Sequence, residues 1–214
     1  MIIMQSYKYI AVEGPIGVGK TSLVHLLGKM FNAKEVLEDI EDNPFLENFY
    51  KNIRLHAFQT QIFFLISRYK QLEQLIQPGL FEDMVITDYI LDKDKIFAMV
   101  TLDDDEMNMY NQIYPLFNRR TPNPDLLIYL QASTDVLWER IKKRNRHFEK
   151  NISKEYLKEI NQAYDSYFFT YSETPLLVIN TNEIDYVHSS ADLDDLIKQI
   201  KEMGKGTKYY IPKL

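Results

Sequence analysis

The sequence contains no cysteine. That excludes disulfides and thiolate metal sites, and it makes a reducing, cytoplasmic compartment the expected home. Glycine and proline are sparse, 7 and 8 in 214 residues, too few for a collagen-like or low-complexity chain. No apolar run approaches the ~18 residues that a membrane-spanning helix needs, so no membrane partner is expected. The segment Met1 to Ser6 lacks the basic region and long apolar stretch of a secretory leader. Positive charge is also short, with 25 Lys and Arg against 31 Asp and Glu, a net charge of −6. Nucleic-acid affinity rests on cations neutralising phosphates, so no polynucleotide partner is expected. A small anion held by a local basic cluster remains compatible with that balance.

What is present is an alternation of apolar strand-like runs with helical patterns. Strands are predicted at 7–13, 36–38, 84–88, 125–131 and 176–180. Between and after them lie helical stretches from Lys20, at 44–51, 55–77, 103–117, 134–144, 154–171 and 191–203. Pro78-Gly79 reads as a helix stop, and Asp103 with Glu106 as a capping box. Such alternation implies right-handed crossovers and a parallel sheet. The expectation is one α/β domain over residues 1–214, a five-stranded parallel sheet with helices on both faces.

Gly14-Pro15-Ile16-Gly17-Val18-Gly19-Lys20-Thr21 is a complete G-x-x-x-x-G-K-[ST] motif, placed directly after a strand and opening a helix. Backbone N–H groups of such a loop curl around phosphate oxygens, and the helix N-terminus adds favourable potential. Lys20 can reach β- and γ-phosphates, and the Thr21 hydroxyl can ligate Mg²⁺. The motif therefore predicts a P-loop NTPase fold with ATP and Mg²⁺ at this site. A second cluster, Arg140, Arg144 and Arg146, is spaced to converge on one anion, while Lys142, Lys143 and Lys150 read as a solvated helix end. An arginine-bearing lid over residues 140–152 suits a phosphotransferase, since Arg stabilises charge on the transferring phosphoryl group. The N-K-x-D signature of a guanine-nucleotide switch is missing. On the acceptor side, Glu38 and Asp88 end the second and third predicted strands, where ligands gather in doubly wound sheets. One can take a hydroxyl proton while the other holds Mg²⁺.

Taken in order, these segments resemble the deoxynucleoside kinases over nearly the whole chain. Leu37 to Phe45 (LEDIEDNPF) resembles the family's E-P-V segment followed by the bacterial E-N-P-[YF], and Ala57 to Arg68 (AFQTQIFFLISR) the helix whose Gln precedes an Arg by seven. Asp88-Tyr89 stands where the family has [DE]-R-S, and Arg140 to Glu149 (RIKKRNRHFE) resembles the lid R-I-x-x-R-G-R-x-x-E. The resemblance implies Glu38 as general base at the 5′-hydroxyl and Asp88 as the Mg²⁺-associated carboxylate. It implies Tyr50 and Glu149 at the 3′-hydroxyl, Gln61 as base reader, and Arg68, Tyr89, Lys93 and Asp94 near the acceptor. Phe58 and Phe97 are stacking candidates. The chain departs from the pattern where Tyr89 replaces the arginine, with Lys93 or Arg68 as sources of the missing charge, and where Asn145 replaces the lid glycine. The D-Y-x-x-x-K spelling most resembles the bacterial deoxyguanosine kinase branch, so a purine deoxynucleoside acceptor, ATP as donor and a homodimer are expected. Two alternatives stay open at this point: a thymidylate-type nucleoside monophosphate kinase, and a P-loop switch with no acceptor.

Overall fold

In a computed structural model, residues 7–76 and 84–212 are described. Strand β1 (Tyr9–Glu13) leads through the glycine-rich loop into α1 (Lys20–Phe31) and β2 (Lys34–Val36). Helices α2 (Leu46–Lys51) and α3 (Ile53–Glu73) follow, then β3 (Val85–Thr87), α4 (Asp92–Thr101), α5 (Asp104–Asn118) and β4 (Leu126–Gln131). The chain continues as α6 (Thr134–Arg144), α7 (Lys154–Phe169), β5 (Leu176–Asn180), α8 (Ser190–Lys201) and β6 (Thr207–Tyr210). The helix stop expected at Pro78-Gly79 lies outside the described residues.

The sheet is parallel, in the order β2-β3-β1-β4-β5-β6. It has six strands where the sequence predicts five. The sixth is the edge strand β6, whose residues alternate between exposed and partly covered beside β5. The central strands are buried on both faces, as continuous apolar runs require: Ile10, Ala11 and Val12, Leu126 to Leu130, and Leu176 to Ile179. Helix starts follow local chemistry. Asp103 and Glu106 form the expected reciprocal capping box, and Ser133, Ser153 and Ser189 cap α6, α7 and α8. Helix α4 has no counterpart in the expected elements; it starts at Asp92, and Leu91 before it offers no side-chain cap. Among the described residues, no helix is long and apolar enough to cross a membrane.

From β1 the chain first builds to one side (β2, β3) and then to the other (β4, β5, β6). The carboxyl end of β1 is therefore the crevice where strand order switches, the place where doubly wound sheets bind ligands.

Candidate active site

The glycine-rich loop fills that crevice. Gly17 and Gly19 hold φ of +85° and +108°, and a Cβ on Gly19 would meet the Tyr186 hydroxyl at 2.5 Å. Position 19 therefore needs glycine for both conformation and space. The Lys20 ammonium curls back onto the carbonyls of Gly14 (2.7 Å) and Pro15 (3.0 Å). Burial, aided by the nearby Lys93 charge, pulls its pKa down to about 8. The Thr21 hydroxyl donates to Asp88 Oδ2 at 2.7 Å, and the Glu38 N–H donates to Asp88 Oδ1 at 2.7 Å. One carboxylate thus ties the start of α1 to the loop that carries Glu38. Behind them the buried Glu13 carboxylate accepts from the N–H groups of Gly14 (2.8 Å) and Ile90 (3.1 Å), fastening the phosphate loop to the segment leading into α4.

Glu38 stands two residues past β2, since the ladder with β3 closes at Val36 rather than running to Glu38. Its Oε1 accepts from Arg68 of α3, with Nε at 2.8 Å and Nη2 at 2.6 Å, and its Oε2 is ion-paired with Lys93 of α4. Burial alone would push this carboxyl up. Lys93 and Arg68 outweigh it and bring the pKa down to about 2. Arg68 also pairs with Asp94, which accepts from the Tyr110 hydroxyl at 2.9 Å. Burial lifts Asp94 to about 6 despite Arg68.

These groups border a cavity of about 320 Å³, within the range of small-molecule sites. Ile16, Gly17, Gly19, Lys20 and Thr21 of the phosphate loop and Glu38, Asp88, Lys93 and Arg68 form part of its wall. Gln61, Phe64, Phe97, Tyr50, Phe148, Glu149, Arg144 and Arg146 line the rest. Gln61 is buried, its Nε2 donating to the Thr101 hydroxyl at 3.3 Å while that hydroxyl donates to the Phe97 carbonyl at 2.8 Å. This chain of donors fixes the amide orientation and leaves Gln61 Oε1 buried without a partner among the described residues. An orphaned buried carbonyl oxygen bordering a cavity calls for a ligand donor.

Several sequence-predicted residues lie elsewhere. Tyr89 is fully buried outside the cavity, its hydroxyl on Gln71 Oε1 at 2.7 Å; Asp88 faces the cavity and its chain neighbour turns to the opposite side. Two cations, Arg68 of α3 and Lys93 at the start of α4, stand at the Glu38 carboxylate instead. Asp94 is buried beneath Arg68 and does not border the cavity. Gly14 and Pro15 contribute carbonyls to Lys20 rather than cavity wall, Val18 is buried and borders a neighbouring groove rather than the cavity, and Phe58 packs against the core while Phe97 borders the cavity. The three lid arginines do not converge. Arg140 is spent on backbone and hydroxyl acceptors, Val18 O (3.2 Å), Thr181 Oγ1 (3.1 Å) and Thr181 O (2.6 Å), because the end of β5 lies within its reach. Arg144 and Arg146 do border the cavity. Asn145 holds φ 52° and ψ 44°, so it replaces glycine at the left-handed turn between them.

One region escaped sequence reasoning. A groove adjoins the phosphate loop on its other side, walled by Asn182 to His188 together with Arg140, Lys143 and Arg144. The available signal was its position just past the carboxyl end of β5, the edge of the sheet where ligands collect.

Comparisons with known proteins agree with this geometry. The family model described as deoxynucleoside kinase matches residues 10–205. The deoxyguanosine kinase of Bacillus subtilis is 37% identical over 205 residues, covering 94% of this chain and 99% of that one. The deoxyadenosine kinase of Dictyostelium discoideum is 35% identical over 199 residues, 90% of this chain and 78% of its own. Among solved structures, the deoxyadenosine kinase from M. mycoides with bound dCTP superposes with a TM-score of 0.79 at 28% identity, over 91% of this chain and 100% of that one.

Proposed function

The chain belongs to the deoxynucleoside kinase family, and on that premise we propose that it transfers the γ-phosphoryl group of ATP to the 5′-hydroxyl of a purine deoxynucleoside, deoxyguanosine or deoxyadenosine, in nucleotide salvage. The observation that carries this reading is the Glu38 carboxylate, held ionised between Arg68 and Lys93 beside the Thr21–Asp88 pair. The acceptor lies along the cavity with its base toward Gln61 and its 3′-hydroxyl toward Tyr50 and Glu149. Its 5′-hydroxyl meets Glu38, which takes the proton as the new O–P bond forms and the bond to the β-phosphate oxygen breaks. A carboxylate of pKa about 2 is a weak base. Because phosphoryl transfer is loose, little deprotonation precedes P–O cleavage, so Glu38 orients the hydroxyl first and receives its proton late. Lys20, Arg144 and Arg146 stabilise charge on the transferring group, and the donor's nucleoside half occupies the groove at Asn182 to His188. Thr21 and Asp88 are the two oxygen ligands that fit Mg²⁺, an ion that commonly takes few protein ligands beside phosphates and water; when bound it neutralises charge on the β- and γ-phosphates.

The reading extends to one domain over the whole chain with a lid at 140–152, a cytoplasmic location and a homodimer. Exposed apolar side chains on neighbouring helices, Ile66 of α3, Met99 of α4 and Met109 of α5, offer a surface for the second copy.

Base choice is supported by the similarity to deoxyguanosine and deoxyadenosine kinases and by the D-Y-x-x-x-K spelling. With its amide orientation fixed, Gln61 Oε1 accepts a base N–H, and its second Nε2 proton is free for an acceptor; both purines offer such a pair. Gln61→Ala is expected to weaken selection of the favoured base by about 1–3 kcal/mol, read as kcat/KM across the four deoxynucleosides. A wild type preferring deoxycytidine or thymidine contradicts the purine assignment, and an unchanged preference in the variant assigns the reading to another residue.

The Lys20 ammonium gives a pH signature. In the free protein it loses its charge as pH rises through about 8, whereas bound phosphates favour the charged form. kcat/KM for ATP should therefore fall above about pH 8 while kcat at saturating ATP persists to higher pH. Parallel basic limbs in both parameters would contradict this assignment.

A further inference from the structure

Arg144 borders both the acceptor cavity and the adjoining groove, and it is anchored by a single buried carboxylate. Glu149, whose side chain is 5% exposed, takes Arg144 Nε on one oxygen at 3.2 Å and Nη2 on the other, as a bidentate pair. The contact spans five residues, and the left-handed turn at Asn145 folds the 3₁₀ segment His147–Asn151 back under the guanidinium. Among the described residues, no other cation ion-pairs with Glu149. Arg144, by contrast, is 36% exposed at its side chain and has room to turn.

We infer that the Arg144–Glu149 pair is a latch that makes phosphate engagement by Arg144 conditional on the acceptor's 3′-hydroxyl. This rests on the proposed placement of that hydroxyl at Tyr50 and Glu149. A carboxylate with both oxygens on one guanidinium holds it tightly. A hydroxyl donating to Glu149 shares the negative charge that holds the guanidinium and weakens the fork. Arg144 then turns from the acceptor side to the more highly charged triphosphate across the phosphate loop. Linkage makes the effect reciprocal: an acceptor that occupies Glu149 tightens donor binding by the factor by which donor tightens acceptor. An acceptor lacking the hydroxyl fills the cavity and leaves the latch closed.

The test measures binding of a non-hydrolysable ATP analogue to the full chain, alone, with a saturating purine deoxynucleoside, and with the matching 2′,3′-dideoxynucleoside. The inference predicts at least tenfold tighter analogue binding with the first acceptor and less than twofold with the second. Glu149→Gln keeps the side-chain shape, and in it the analogue should bind tightly without any nucleoside; that binding also reports a folded protein. Equal tightening by both nucleosides, or a variant that binds the analogue no better than the unliganded wild type, overturns the latch. If the dideoxynucleoside itself binds as well as the deoxynucleoside, the 3′-hydroxyl placement fails; if it binds more weakly yet tightens the analogue equally, only the coupling fails.

Discussion

Lys20→Ala is expected to lower kcat by about 10³-fold with little loss of stability, because the ammonium acts on transition-state charge rather than on packing. The structure separates these two effects. Lys20 donates to two carbonyls of its own loop and is in no ion pair among the described residues. Burial disfavours its charged form, which is why its pKa is drawn down to about 8, so keeping that charge costs the fold free energy. Removing it leaves the two carbonyls to water or loop relaxation, while the transferring phosphoryl group loses a cation placed on it beforehand. Steady-state kinetics and a thermal melt on the same preparation check both halves. A kcat within tenfold of wild type would overturn the phosphate-site assignment.

Glu38→Gln should behave differently, losing both rate and stability. The amide keeps the shape and one acceptor but cannot take a proton, so kcat is expected to fall by about 10² to 10⁴ with a modest change in KM. Stability falls because Arg68 and Lys93 are left facing a neutral group in a buried site, a loss of about 3 kcal/mol for a broken buried pair. Its pH dependence has a fixed sign. The folded pKa of Glu38 lies below the ordinary Glu value of 4.5, at about 2. The stabilisation from its ionised form is therefore fully present above pH 4.5 and is lost as pH falls toward 2. The gap in unfolding free energy between wild type and variant should be widest near neutrality and should narrow through that window in denaturant titrations. An unchanged rate would move the proton-accepting role to Asp88.

The parts of this site that were legible in the sequence are those in which local spacing carries the chemistry. The phosphate loop is a backbone device whose glycines, lysine and threonine are contiguous, and Asp103–Glu106 caps its helix through neighbours three apart. Glu38 and Asp88 were legible as ends of predicted strands, although β2 closes at Val36, two residues short of Glu38, and Gln61 was legible only through the resemblance to the kinase family. What escaped depends on pairing across the fold. Strand β6 is four residues at an edge, defined only by its ladder with β5. Helix α4 opens without a capping side chain, and its sequence DKDKIFAMVT mixes charge with apolar residues because it is buried on the face that carries Lys93 and Asp94. Arg140 and Arg144 do share a helix face, but only the position of Thr181 shows that Arg140 is already occupied. Lys93 was legible as a source of charge; that its partner is Glu38 was not.

Phosphotransfer to a nucleoside is decided by identifying the product when the protein is given ATP, Mg²⁺ and each of the four deoxynucleosides in turn. The expected product is a deoxynucleoside 5′-monophosphate, formed fastest from deoxyguanosine or deoxyadenosine, with ADP appearing only when a nucleoside is present. ADP release at the same rate without any nucleoside, or phosphorylation of a nucleoside monophosphate in preference to the nucleoside, would contradict it.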